Sequence, residues 1–388
     1  MSGPVRSRIL VVDDSAVVRR LIADALADDE DVEIVATATN GRAAVERIRQ
    51  HEPDLVTLDV EMPGMDGLAA LRAIRAEWPR LPVVMFSTLT ERGAQVTVEA
   101  LLLGADDYVT KPVGAGGVDE SVRRIRESLV PRIHALCAPR RSAPPSPAVS
   151  PSSAGRRAEV LPGGPALPTA TGRGALASPT VRRRRAEAIV VGVSTGGPTA
   201  LAALLPSLPA DLPAPVLIVQ HMPATFTRML ADRLDDACAV PVREATDGHA
   251  PRPGEVLLAP GGRHLEVRSG TAGPVLRLTE EPPENSCRPA VDVLFRTAAD
   301  VYGAGVLGVV LTGMGSDGRK GSEAIHGVGG QVVVQDEASS VVWGMPGAVV
   351  AAGTCDRILP LGQIAGVLTR AARAGRSHSA PLTPEVSP

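Results

Sequence analysis

A chain of 388 residues is longer than one ordinary domain, and 44% apolar content supplies enough material for more than one buried core. A formal net charge of -3 excludes a general electrostatic pull toward nucleic acid or an anionic membrane. Cys137, Cys238, Cys287 and Cys355 stand too far apart to form a C-x-x-C pair, which excludes a disulfide scaffold and a zinc site of the usual spacing and fits a reducing compartment. Met1 to Arg8 leads straight into a strand pattern without the apolar core of a signal peptide. No apolar stretch approaches the ~20 residues that cross a bilayer. A cytoplasmic protein without membrane insertion is expected.

Residues 6–130 alternate strand and helix signals. Short apolar runs predict strands at Ile9–Val12, Glu33–Ala36, Leu55–Leu58, Val83–Phe86 and Asp107–Val109. Between them, helical periodicity covers Val17–Leu26, Gly41–Gln50, Gly67–Glu77 and Arg92–Leu103. Such βα alternation predicts a doubly wound parallel sheet, whose sites lie at the carboxyl ends of the strands. Asp13 and Asp14 follow the first expected strand and Asp59 the third, so three carboxylates converge on one rim. They repel one another unless a hard cation joins them, and Mg2+ suits carboxylates combined with waters and phosphate oxygens. Ser87 and Lys111 end two further strands and can contact a phosphate on the same rim.

As a set, Asp13-Asp14, the run Leu58–Gly67, Ser87 and Lys111-Pro112 resemble a response-regulator receiver domain. The resemblance implies that a partner histidine kinase phosphorylates Asp59. It implies Mg2+ held by Asp13, Asp14, Asp59 and the carbonyl of Glu61, with Ser87 and Tyr108 as the residues that reorient and Lys111 beside the phosphate.

Residues 131–186 change character. Pro, Ser, Ala and Gly dominate, and from Ala138 to Ala186 the charges are nine arginines and Glu159. Such a segment buries too little apolar surface to fold and reads as a disordered tether, spanning ~40 Å on average. Arg182–Arg185 has no interleaved aromatics, so it reads as a solvated basic end rather than a nucleic-acid contact.

From 187 to 373 the alternation returns, with strands expected at Ala188–Val191, Pro215–Gln220, Glu255–Ala259, Leu276–Thr279, Gly305–Leu311 and Gln331–Val334. A second α/β domain is predicted, followed by a polar, Pro-rich tail over 374–388. The first of these strands leads into Gly192-Val193-Ser194-Thr195-Gly196-Gly197-Pro198, a G-x-S-x-G arrangement between strand and helix. This geometry exposes a serine hydroxyl beside free N–H groups at a helix start, which points to acyl transfer. A serine needs a base, and the base needs an orienting acid. His221 follows an apolar strand and Asp317 follows the strand Gly305–Leu311 through a Gly-rich loop. His264 is a rival base and Asp292 a rival acid; spacing alone puts Ser194, His221 and Asp317 only somewhat ahead.

The motifs Ser194–Pro198, Gln220–Pro223, Pro260-Gly261 with His264, Arg288-Pro289 with Asp292, Leu311–Gly315 with Asp317-Gly318, and Gly344–Pro346 resemble, in order, the CheB-type methylesterases. The resemblance implies nucleophile Ser194, base His221 and acid Asp317, with Thr195 and Met314 lining the site. It implies hydrolysis of glutamate methyl esters on chemotaxis receptors, deamidation of receptor glutamines, and no cofactor for that reaction. Cys287 and Ala290 depart from the usual pattern around Arg288-Pro289. A receiver that only binds receptors, or one that binds DNA, are the rival readings; an intact serine, base and acid argue against the first, and the size and class of the second half against the other.

Overall fold

Two parallel sheets carry the chain. The computed structural model describes residues 6–88, 90–112, 117–141 and 185–374. Most of the expected linker, with Arg182–Arg184, and nearly all of the expected tail lie outside the described residues.

The first sheet has strands β1 (Ser7–Val12), β2 (Val32–Ala38), β3 (Leu55–Asp59), β4 (Val83–Ser87) and β5 (Asp107–Thr110), in the order β2-β1-β3-β4-β5. All neighbours run parallel, as expected when helices connect successive strands. The helices are α1 (Ala16–Leu26), α2 (Gly41–His51), α3 (Gly67–Glu77), α4 (Glu91–Leu102) and α5 (Val118–Arg141). Side chains of Ser15, Asn40, Asp66 and Thr90 cap the first four, satisfying N–H groups that a helix start leaves unpaired. Helix α5 continues through Pro131 because Ile125, Leu129, Ile133, Leu136 and Cys137 form a buried stripe; its burial outweighs the hydrogen bond a mid-helix proline removes.

The second sheet has seven strands in the order β14-β13-β12-β6-β7-β9-β8, again all parallel. These are β6 (Ala188–Val193), β7 (Val216–Gln220), β8 (Val242–Glu244), β9 (Val256–Leu258), β12 (Val306–Val310), β13 (Gln331–Gln335) and β14 (Arg357–Leu359). One expected strand does not join the sheet. Residues 276–279 belong to β11 (Gly273–Thr279), which pairs antiparallel with β10 (His264–Gly270) as a separate hairpin. The helices are α6 (Gly197–Leu204), α7 (Ala224–Ala237), α8 (Val291–Tyr302), α9 (Arg319–Gly327), α10 (Gly344–Ala351) and α11 (Leu361–Arg373). Strand β6 sits between β7 and β12, where the connections reverse direction and where such sheets open a crevice.

The two halves are packed together. A single apolar cluster runs from Val98 and Leu101 of α4 and Tyr108 of β5 to Met222, Phe226 and Leu230 of the second half. The rings of Tyr108 and Phe226 stack with centroids 4.7 Å apart, and Thr199 Oγ1 donates to the carbonyl of Leu101 at 2.7 Å. Among the described residues, no helix is long and apolar enough to cross a membrane.

Candidate active site and phosphoacceptor site

Ser194, His221 and Asp317 leave three adjacent strands, β6, β7 and β12, at their carboxyl ends. The chain turns after Ser194 through Gly196, whose φ of +75° is the left-handed conformation that glycine adopts without strain. Ser194 and His221 both line a cavity of about 520 Å3 that also touches Met314, Cys287 and Asp107.

His221 Nε2 lies 2.8 Å from Asp317 Oδ2. Asp317 is held by four further contacts: Oδ2 accepts from Val291 N–H at 2.7 Å, and Oδ1 from Asp292 N–H at 2.9 Å, Asn285 Nδ2 at 2.8 Å and Gly318 N–H at 3.0 Å. Val291 and Asp292 open helix α8, so the carboxylate sits on the positive end of a helix. Burial opposes ionisation of Asp317, but the hydrogen bond from His221 and the backbone donors hold its pKa below the usual value. Burial likewise pushes His221 down, yet hydrogen bonds to Asp317 and Cys287 carry it up to about 9. The pair is therefore an ion pair at neutral pH. Ser194 Oγ makes no hydrogen bond to His221 among the described residues, and catalytic hydrogen bonds often tighten only when substrate arrives.

The two rivals resolve differently. His264 is buried, with Nδ1 accepting from Ala290 N–H at 3.2 Å and Nε2 3.1 Å from the carbonyl of Pro282, so both nitrogens are committed to backbone. Asp292 accepts from Gly318 and Gly321 N–H and from Asn285 Nδ2; it fixes the loop that carries Asp317.

Spacing could not reveal what occupies this rim. Thr195 Oγ1 donates to Asp107 Oδ2 at 2.6 Å, and Gly196 N–H donates to the carbonyl of Asp106 at 3.0 Å. Both acceptors come from the receiver. Arg132 of the α5 extension holds the same Asp107 oxygen at 3.1 Å. Met314 packs against the cluster that contains Ile125 and Leu129.

At the receiver's own rim, Lys111 Nζ lies 2.8 Å from Asp59 Oδ1 and 2.9 Å from Asp13 Oδ2. Carboxylate oxygens of Asp13, Asp14 and Asp59 fall within 4.8 Å of one another. Asp59 Oδ2 is buried and has no hydrogen-bond partner. Burial, partly offset by Lys111 and reinforced by Asp13, raises Asp59 to about 6. An orphaned buried acceptor among three acids fits a site built for a divalent cation. Glu61 N–H donates to Asp59 Oδ1 at 3.3 Å, while its side chain turns out to Arg92 at 3.9 Å. Ser87 Oγ points into α4, 3.1 Å from the Gly93 carbonyl and 2.6 Å from Thr97 Oγ1.

The profile of the CheB methylesterase family matches residues 189–368, and that of the response regulator receiver domain residues 9–123. A protein-glutamate methylesterase/protein-glutamine glutaminase of Nocardioides sp. is 52% identical over 368 residues, covering 94% of this chain and 96% of its own. One of the same name from Trichodesmium erythraeum is 46% identical, covering 94% of this chain and 98% of its own. The crystal structure of the Thermotoga maritima CheB methylesterase catalytic domain is 41% identical and covers 47% of this chain and 97% of its own, with a TM-score of 0.47. Identity of this extent over nearly the whole length shows that the chain belongs to the CheB methylesterase family, with a response regulator receiver domain ahead of its hydrolase domain.

Proposed function

We propose that this chain hydrolyses glutamate methyl esters on chemotaxis receptors and deamidates receptor glutamines, under control of phosphorylation at Asp59. The observation that carries the reading is His221, held by Asp317 at 2.8 Å, lining one cavity with the half-buried Ser194. Ser194 Oγ attacks the side-chain carbonyl while His221, in its neutral form, takes the serine proton. His221 then protonates the departing methoxide, or ammonia from an amide, and water releases the acyl group by the same route. Asp317, saturated with donors, orients the imidazole and stabilises its cation. Backbone N–H groups after Ser194 and around Met314 face the developing oxyanion, each typically worth ~3–4 kcal/mol.

In the receiver, Asp13, Asp14 and Asp59 with the Glu61 carbonyl would hold Mg2+, which supplies charge neutralisation for phosphoryl transfer from a histidine kinase. Lys111 holds the acceptor carboxylate in place. Control follows from β5. Its carboxyl end leads to Lys111, on Asp59, and its amino end presents Asp107, on Thr195, only about 13 Å away at strand rise. A phosphoryl group that draws on Lys111 and Ser87 moves this strand and loosens the receiver's hold on the serine turn. Soluble chemistry on cytoplasmic receptor segments fits a chain without a membrane-crossing helix among its described residues.

The test is methanol release from methylated receptor membranes, with and without a phosphodonor. Wild type is expected to release methanol faster with the phosphodonor, and Ser194→Ala to release none. Full activity in Ser194→Ala overturns the assignment.

A further inference from the structure

The proposed chemistry forms no bond to Cys287, although the residue lines the cavity with Ser194 and His221 and its thiol helps to raise the pKa of His221. The thiol stands at the end of a tight turn. Glu284 and Cys287 exchange backbone hydrogen bonds at 3.1 and 2.9 Å. Asn285 and Ser286 between them have φ of 51° and 62°, both left-handed. Arg296 clamps Glu284 through two bonds of 2.8 and 2.7 Å, and Asn285 is tied to Asp317. Cys287 is thus presented by a braced turn, not a loose loop. Ligand atoms of His221, Cys287 and Asp317 all lie within 4.8 Å of one another.

We propose that His221, Cys287 and Asp317 form a binding site for a borderline-soft divalent cation such as Zn2+, and that its occupancy switches the hydrolase off. One thiolate, one imidazole and one carboxylate make a donor set that favours Zn2+ over Mg2+. The receiver's all-oxygen site has the opposite preference. Tetrahedral zinc with bonds of about 2.0–2.3 Å needs ligand atoms roughly 3.2–3.6 Å apart, so the His221–Asp317 pair, now at 2.8 Å, opens slightly while small rotations bring in the thiol from within 4.8 Å. On binding, the proton between His221 Nε2 and Asp317 Oδ2 and the Cys287 thiol proton leave to solvent, and the ion takes their place. Asp317 keeps its backbone donors and Asn285 as an outer shell. With its imidazole on the metal, the site has no base for Ser194.

The inhibitory half of this inference rests on the hydrolase reading; the binding half does not, and two readouts separate them. The full chain is assayed for methanol release with phosphodonor and excess Mg2+ while Zn2+ is titrated, each variant being normalised to its own metal-free rate. Loss of even an outer-shell partner costs about 10–100-fold in metal affinity. Cys287→Ala and Cys287→Ser should therefore need at least about tenfold more Zn2+ for half-inhibition, and a chelator should restore wild type. Independently, Co2+ added to the unphosphorylated chain should give a thiolate-to-metal charge-transfer band that both variants lack. Equal Zn2+ sensitivity in wild type and variants overturns the switch. A Co2+ spectrum without the band, or one that keeps it in the variants, overturns the site.

Discussion

At the scale of single residues, two buried acids do opposite things. Asp317 is buried but met by five donors, so it ionises readily and lifts His221 to about 9. An imidazole protonated at neutral pH is a poor base, so kcat/KM of the unphosphorylated chain should climb from pH 7 toward 9. Asp317→Asn removes the negative charge and one of the two acceptor oxygens, which should move that rise to lower pH and cut kcat by roughly 10⁴-fold, the loss found when the orienting acid of a comparable triad is neutralised. A profile that does not shift would show that another group sets it. The stability consequence has a definite sign. Because the folded pKa of His221 lies above its ordinary 6.5, the pair's contribution is fully present below about 6.5 and is lost as pH rises through about 9. Asp59 is the contrary case. Its buried, partnerless Oδ2 and its pKa of about 6 mean that the carboxylate costs stability at neutral pH without a cation. Asp59→Asn should raise the Tm of the Mg2+-free chain while abolishing activation by a phosphodonor. A lowered Tm would contradict this account.

At the scale of elements, β5 and the α5 extension decide what the receiver can do to the site. Asp107 gives one oxygen to both Thr195 and Arg132, and a hydrogen bond to a charged group contributes about 1.5–3 kcal/mol. Asp107→Ala should therefore raise methanol release from the unphosphorylated chain by roughly tenfold or more, with a smaller gain left for the phosphodonor. An unchanged basal rate would remove Asp107 from the latch. The central strands were legible because their apolar runs are buried on both faces, as in β3, β4, β6 and β12. Strands β8 and β14 escaped because each has three residues, and their patterns are partly or wholly exposed, as suits the two edges of the sheet. Composition placed the start of the expected linker at residue 131, whereas the stripe from Ile125 to Cys137 carries helix α5 past that point and brings Arg132 to Asp107. The partners of the serine turn were illegible for a different reason: Asp106 and Asp107 lie 88 or more positions from Thr195 and Gly196, and no local pattern encodes that meeting. Asn285 was missed likewise, because its role depends on a turn conformation rather than a motif.

At the scale of the whole molecule, the hold of the receiver combines a continuous apolar cluster, the Tyr108–Phe226 stack and two hydrogen bonds to the serine turn. The hydrogen bonds engage the Thr195 hydroxyl and the Gly196 N–H directly, so the restraint proposed for the receiver would occupy groups of the serine turn as well as cover the cavity. Moving a closed fraction from 99% to 1% takes about 5.5 kcal/mol of differential interaction. Loosening one charge-assisted contact supplies about 1.5–3 kcal/mol, and the apolar cluster still favours the closed arrangement. Phosphorylation is therefore expected to open only part of the population. The catalytic half has its own seven-stranded sheet and buried core, so a fragment spanning 185–374 should fold and be held closed by nothing. Its rate of methanol release should exceed that of the phosphorylated full chain, which in turn should exceed that of the unphosphorylated chain. Because Phe226 would lose its cover in the fragment, Phe226→Ala in the full chain offers the same test without truncation: it removes the stack while leaving Asp107 on Thr195, and should give an intermediate rate. A fragment no faster than the unphosphorylated full chain would mean that the receiver, though seated on the serine turn, does not restrain it.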